Sequence, residues 1–260
     1  MRLLEVFGLL FFHLITVIFA STPKGRCHED QKLLWKLIEQ KAEQLHGPHT
    51  QEQMGVEAEL WPHDLVSFCP CKKELTFSTF VSFWWHDPRL SYYQEPERVE
   101  PRQVGDPPEV KLCDGNAPIG CSKTRARFWK PDVAFYTTRR FEIHRSPSSN
   151  DLMVVYPNGT VWYNYRAIMT IPCQGDLPSS RFVCKAPMCS ISKSIAKMDL
   201  QWTSTGVLPI FSSWEVGKFK VDAVNVTREV KNYPIGEFPE LTTFFTLTNS
   251  TAIRFGRGCH

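Results

Sequence analysis

Two sets of side chains in this 260-residue chain have types and spacings that could do chemistry. The first is Cys69-Pro-Cys71 with His63, His46 and His49, because thiolate and imidazole together suit zinc. The spacing supplies no second C-x-x-C or H-x-x-x-H pair, so the expectation is no metal, with these cysteines bonded instead and Cys27 a candidate partner. The second set is aromatic. In the stretch 75–92, LTFSTFVSFWWHDPRLSY, Leu75, Phe77, Val81, Phe83 and Trp85 share one parity and Thr76, Ser78, Ser82 and His86 the other, the alternation of a half-buried β-strand. Phe80 and Trp84 break the polar parity, and Trp162 does the same among Thr160 and Asn164. Rings on a face that should meet water mark either a binding surface or cross-strand packing. His86-Asp87 reads as strand-end structure. No nucleophile elbow, paired carboxylates or glycine-rich phosphate loop stands out, so neither an enzyme nor a bound cofactor is expected.

The elements that must position these residues are predominantly strands, and the length suits a single domain with a full core. Arg2 precedes an apolar run ending in small residues, which predicts a cleaved signal peptide over 1–20. Nine cysteines, all after that leader, fit an oxidising, secreted or extracellular setting, and the odd count leaves at least one outside an intrachain pair. Sequons at Asn158, Asn225 and Asn249 predict glycosylation. The formal charge of +3 is mild and no basic run carries interleaved aromatics, which sets nucleic acid aside as a partner. After the leader no stretch reaches the roughly twenty apolar residues of a membrane-spanning helix.

Along the chain, Leu34, Leu37, Ile38 and Leu45 mark one face of a helix over 28–46, stopped by Gly47-Pro48. Val56, Ala58 and Leu60 alternate with Glu57 and Glu59 as a strand, and 68–73 turns into the strand around Phe80. Residues 94–127 form a proline-, glycine- and charge-rich insertion in which Cys113 and Cys121 could close a small disulfide loop. Pro131 argues for an edge or bulge at the start of a short strand over 128–136. Pro157-Asn158-Gly159 between two β-rich runs predicts a hairpin over 152–171. Three further alternating runs, 198–202, 219–221 and 241–247, bring the count to about nine or ten short strands. The expected fold is all-β, an immunoglobulin-like β-sandwich over 27–250 with one N-terminal α-helix, followed by a tail over 251–260.

In register, these landmarks resemble the extracellular ligand-binding domain of the Cys-loop, or pentameric ligand-gated, ion channel family. WHDPRL at 85–90 resembles that family's W-x-D-x-R-L strand, and Trp129-Lys-Pro131-Asp132 with Tyr136 resembles its W-x-P-D segment and first principal-face loop. The hairpin after Asn158 and the late run from Tyr233 to Leu247 fall in the family's order. The resemblance implies a small-molecule ligand, an amine or amino acid, held where subunits of a homo-oligomer or of a hetero-oligomer with related subunits meet. It places the chain outside the cell or at the extracellular face of the plasma membrane through partner subunits. Residue by residue, it assigns Tyr136 and Tyr233 to the principal face and Phe80 and Trp162 to the complementary face. It also makes Cys173 the start of the signature disulfide loop, closing on Cys184 or Cys189, with Cys189 favoured because Ser190-Ile-Ser then continues as a strand. The aromatic expected after the closing cysteine is missing, since Ser194-Ile-Ala196 offers none. The alternative is a secreted structural or interaction protein that assembles with receptors without binding ligand.

Overall fold

The computed structural model describes residues 53–91, 110–112, 129–147, 149–156, 158–176 and 180–249. The leader, the 28–46 helix, His46, His49, the cysteines at 27, 113, 121 and 259, and the 251–260 tail lie outside the described residues. The 75–92 alternation becomes β2, Glu74–His86, with Leu75, Phe77, Val81, Phe83 and Trp85 all buried. It pairs antiparallel with β1, Met54–Cys69, through the turn at 70–73. After a 3-10 turn at Pro88–Leu90 come β3 (Val110–Leu112), β4 (Val133–Ala134), β5 (Arg140–Ile143) and β6 (Asp151–Val155). Then follow β7 (Thr160–Asp176), β8 (Arg181–Ser190), β9 (Met198–Val207), β10 (Glu215–Val216), β11 (Phe219–Tyr233) and β12 (Gly236–Asn249).

The strands are hydrogen-bonded in the order β10-β11-β12-β8-β7-β2-β1-β9, with β5 and β6 also on β7 and β4 on β8. The chain folds this ribbon into two layers because β7 changes partners. Residues 160–172 pair with β2, whereas Cys173 to Asp176 pair with β8. The core between the layers joins Phe77 of β2 to Phe245 of β12, with ring centroids 4.7 Å apart, and Phe68 to Phe182 and Phe219. Arg228 of β11 donates from Nε to the Leu200 carbonyl (3.0 Å), and Trp202 of β9 from Nε1 to the Thr227 carbonyl (3.0 Å), tying the layers at their edge. Among the described residues no helix is long and apolar enough to cross a membrane.

The sandwich class agrees with the sequence reading, while the strands are more numerous and longer. Twelve are present among the described residues, and β7 alone runs for 17 residues. The disulfide corrects a second expectation. Cys173 bonds to Cys184, its direct cross-strand partner, and Cys189 is a free thiol. Cys189 stands five positions further along β8, on its outward parity, opposite Glu240 of β12 and Ala134 of β4. Both Cys184 and Cys189 lie inside β8, so continuation of the strand does not distinguish them.

The hairpin between β6 and β7 is held by Tyr156 N–H to the Thr160 carbonyl (2.8 Å) and Gly159 N–H to the Tyr156 carbonyl (2.9 Å). Gly159 adopts φ 87°, and a Cβ there would sit 2.5 Å from the Asp87 carbonyl oxygen. Gly159→Ala therefore combines a left-handed backbone with a clash against backbone, and is expected to cost about 1–3 kcal/mol. Denaturant unfolding of the two purified proteins checks this, and equal midpoints would remove the close approach from the account.

Candidate functional site

The outward face of the β1-β2-β7 layer carries the first aromatic group. Register puts Phe80 of β2 beside Trp61 of β1 and Arg166 of β7, and Trp84 beside Trp162. Trp84 and Trp162 stack at 5.1 Å and 10°, Tyr156 adds a third ring 6.1 Å from Trp84, and His63 lies 4.9 Å from Phe80. Between the two ring pairs, Asn164 Nδ2 donates to Ser82 Oγ at 2.7 Å. Phe80, Trp84 and Trp162 are half-buried. The rings expected to face water instead cover one another, because aromatic surface on adjacent strands is stabilised by offset stacking. The indole nitrogens of Trp61 and Trp162 are buried without a hydrogen-bond partner.

The second group lies on the outward face of the other layer. Glu240 of β12, only 8% exposed, alternates with the inward Leu241, Thr243 and Phe245. Its Oε2 accepts a short hydrogen bond from the Tyr136 hydroxyl, and its Oε1 accepts one from Thr242 Oγ1 at 3.4 Å. Lys231 Nζ lies 4.0 Å from Oε1. Burial, the hydrogen bond to Glu240 and that residue's charge push the Tyr136 phenol well above its ordinary value. Tyr136 and Tyr233 are 51% and 46% exposed, and Tyr233 meets Phe238 edge-on at 5.7 Å. Cys189 borders this group, and burial, with the charges of Glu240 and Asp132, raises its thiol.

Asp132 fixes the backbone that presents Tyr136. Its Oδ1 accepts from Ser190 Oγ (2.8 Å) and its Oδ2 from Ser192 N–H (2.9 Å), while its carbonyl accepts from Ile191 N–H (3.0 Å). Burial would raise this carboxyl, but the bonds from Ser192 and Ser190 and the charge of Lys193 hold it below the usual range. The 190–196 segment supplies no ring to the group. Ile191 is 69% exposed, and the Ile195 N–H donates to the Glu237 carbonyl (2.8 Å), setting Ser194 to Ala196 against the turn between β11 and β12.

Among the described residues no hydrogen bond or ring contact joins the two groups. The structure brings Phe80 and Trp162 onto one face, and Tyr136 close to Tyr233 on another. Of the sequons, Asn158 and Asn225 are exposed and Asn249 is half-buried. The sequence reading missed Glu240 and Arg166, and weighed His63 only as a zinc ligand, not as a neighbour of Phe80. Glu240 and Arg166 sit on the polar parity of their strands, a signal that registers exposure but not which neighbours register supplies.

The family model described as neurotransmitter-gated ion-channel ligand binding domain matches residues 30–250. A probable ligand-gated ion channel of Caenorhabditis elegans is 25% identical over 74% of this chain and 35% of its own length. An acetylcholine-gated chloride channel subunit of the same organism is 24% identical over 92% of this chain and 49% of its own. The gamma-aminobutyric acid receptor subunit epsilon of Homo sapiens is 24% identical over 89% of this chain and 42% of its own. The chain thus spans about a third to a half of the length of these relatives.

Proposed function

Because the chain belongs to the neurotransmitter-gated ion-channel ligand-binding domain family, a family of ligand-gated channels and not of enzymes, we propose that it is an extracellular module binding a small neurotransmitter-like ligand between subunits. One subunit presents Tyr136, Tyr233 and Glu240, and the next presents Phe80, Trp84 and Trp162. The observation that carries this reading is the separation of the two groups onto the outward faces of different layers, so that only a heterologous contact between copies or related subunits closes them around a ligand. Relatives named for acetylcholine and gamma-aminobutyric acid support an amine or amino acid as the ligand class. Glu240 adds a carboxylate, which suits an ammonium group that rings alone hold by about 0.5–2 kcal/mol each.

Phe80→Ala and Tyr136→Ala are each expected to weaken binding by about 1–3 kcal/mol with little loss of secretion, the scale of aromatic interface anchors. Isothermal titration against an amine and amino-acid panel, with native mass spectrometry of the same samples, tests this. One observation favours the second reading, assembly without ligand binding. The segment after Cys184 contributes no ring, and Ile191 stands exposed there. An oligomer that binds nothing in the panel would support that alternative.

A further inference from the structure

Three rings and a sequon meet at the hairpin between β6 and β7. Asn158-Gly159-Thr160 has the residue types and spacing that oligosaccharide transfer requires, and its asparagine is exposed. The hairpin is closed beneath it. Tyr156 and Thr160 face each other through the bond from the Tyr156 N–H to the Thr160 carbonyl at 2.8 Å, and Asn158 Oδ1 accepts from the Thr160 N–H at 2.9 Å. That second bond holds the amide oxygen against the turn and leaves Nδ2 on the opposite side of the carboxamide, away from it. Tyr156, two positions before Asn158, stacks on Trp84 at 6.1 Å and 27°, and Trp84 stacks on Trp162 at 5.1 Å and 10°, so the rings run in succession up to the sequon. Tyr156 is half-buried, and part of its side chain still meets solvent. The Asn225 sequon is built differently. Asn225, Val226 and Thr227 lie within the β11–β12 ladder, opposite Phe244, Thr243 and Thr242, so that sequon is extended and no turn fixes its asparagine.

We propose that Asn158 carries an N-linked oligosaccharide whose first N-acetylglucosamine packs on the Tyr156 ring, so that one saccharide continues the Tyr156–Trp84–Trp162 stack. The donor is a lipid-diphosphate oligosaccharide of the secretory compartment. Transfer forms a bond from Asn158 Nδ2 to C1 of the sugar as the bond from C1 to the diphosphate oxygen breaks; Nδ2 gives up one proton and the lipid diphosphate leaves. The packing follows from reach and from chemistry. Residues two apart in a chain are separated by about 7 Å at most, a gap that a pyranose on Nδ2 spans. One face of β-linked N-acetylglucosamine presents axial C–H groups, apolar and weakly positive, while the face of an aromatic ring is weakly negative. The turn bonds already hold the asparagine and Trp84 already holds the tyrosine, so little further ordering is needed for the two to meet. By register the sugar lies beyond the His86–Thr160 pair, at the end of the face away from Phe80. It is held within one chain, so the proposal does not rest on ligand binding between subunits.

The test uses the full chain secreted from eukaryotic cells and trimmed by an endoglycosidase that leaves one N-acetylglucosamine on each occupied asparagine. Glycopeptide mass spectrometry should find Asn158 occupied. Urea unfolding is then compared across a cycle of wild type, Asn158→Gln, Tyr156→Leu and the double variant, in which the cost of losing the Asn158 turn bond is common to both arms and cancels. Loss of the sugar should lower the folding equilibrium constant about twofold to tenfold more in the wild-type background than in the Tyr156→Leu background. The sugar C–H resonances that Asn158→Gln removes should lie upfield of those of free N-acetylglucosamine, displaced by the ring current of Tyr156, and should move back toward them in Tyr156→Leu. Tyr156→Phe, which keeps the ring, should retain both effects. These resonances are read in the wild-type protein, so they decide the matter even where Tyr156→Leu is not secreted. An unoccupied Asn158, equal losses in the two backgrounds, or sugar resonances at their free positions would overturn the proposal.

Discussion

Cys184→Ser is expected to lower stability by about 2–5 kcal/mol and to impair secretion, while Cys189→Ser leaves both nearly unchanged. The Cys173–Cys184 bond closes a loop of sequence separation 11, for which loop-closure entropy alone gives about 3 kcal/mol. Both sulfurs are also buried, at the point where β7 leaves β2 and begins to pair with β8. Losing the bond therefore loosens the junction that folds the two layers together. Cys189 has no such role. Its half-buried thiol lies on the outward face beside Glu240, where serine is close in size and as polar. Non-reducing peptide mapping and denaturant unfolding of both variants decide the matter. A stable Cys184→Ser protein with an unstable Cys189→Ser protein would reverse the assignment.

Asp87→Ala should cost about 2–4 kcal/mol, because one buried carboxylate performs two tasks at the end of β2, capping a turn and pairing with Arg89. Asp87 is 2% exposed. Its Oδ1 caps the 3-10 turn by accepting from the Arg89 N–H at 3.1 Å, and the two oxygens grip the Arg89 guanidinium at 2.8 and 2.7 Å. Its own N–H donates to the Gly159 carbonyl (2.9 Å), so this turn is docked on the β6–β7 hairpin. Truncation leaves the Arg89 side chain, 20% exposed, without this counter-charge, and frees the turn that positions Trp84 and Trp85. Asp87→Asn keeps the cap acceptor and loses the charge, so its cost falls between wild type and alanine. The readout is urea unfolding, and a variant within about 0.5 kcal/mol of wild type would show the pair to be worth no more than an exposed one.

Much of the layer carrying Phe80 was legible because period-2 alternation reports which residues share a face. Leu75, Phe77, Val81, Phe83 and Trp85 are buried as the pattern requires, and Phe80, Trp84 and Trp162 lie together on the other face. Strand lengths and partners were not legible. Nothing in the periodicity of β7 marks the change from β2 to β8 at Cys173, since alternation continues unbroken through it. The disulfide was within reach of the same argument. Phe182, Cys184, Ala186 and Met188 share the buried parity, which turns Cys184 inward toward Cys173 and Cys189 outward. Glu240 and Arg166 escaped for a different reason. A charged residue on a polar parity looks like ordinary solvent-facing surface until register supplies Tyr136 for the one and two histidines for the other.

The separation of the two aromatic groups is tested most directly by mixing. Chains carrying Phe80→Ala and chains carrying Tyr136→Ala, each weak alone, are co-expressed and the oligomers purified through two different tags, so that every particle contains both. At an interface where the Phe80→Ala chain presents its intact Tyr136 and the Tyr136→Ala chain its intact Phe80, the site is whole. About a quarter of the interfaces in a randomly mixed ring are of this kind. The expected result is a fraction of wild-type-affinity sites in the mixed oligomers that neither variant shows alone. Mixed oligomers with no recovery, or a monomeric wild-type protein that binds ligand normally, would contradict a site shared between subunits.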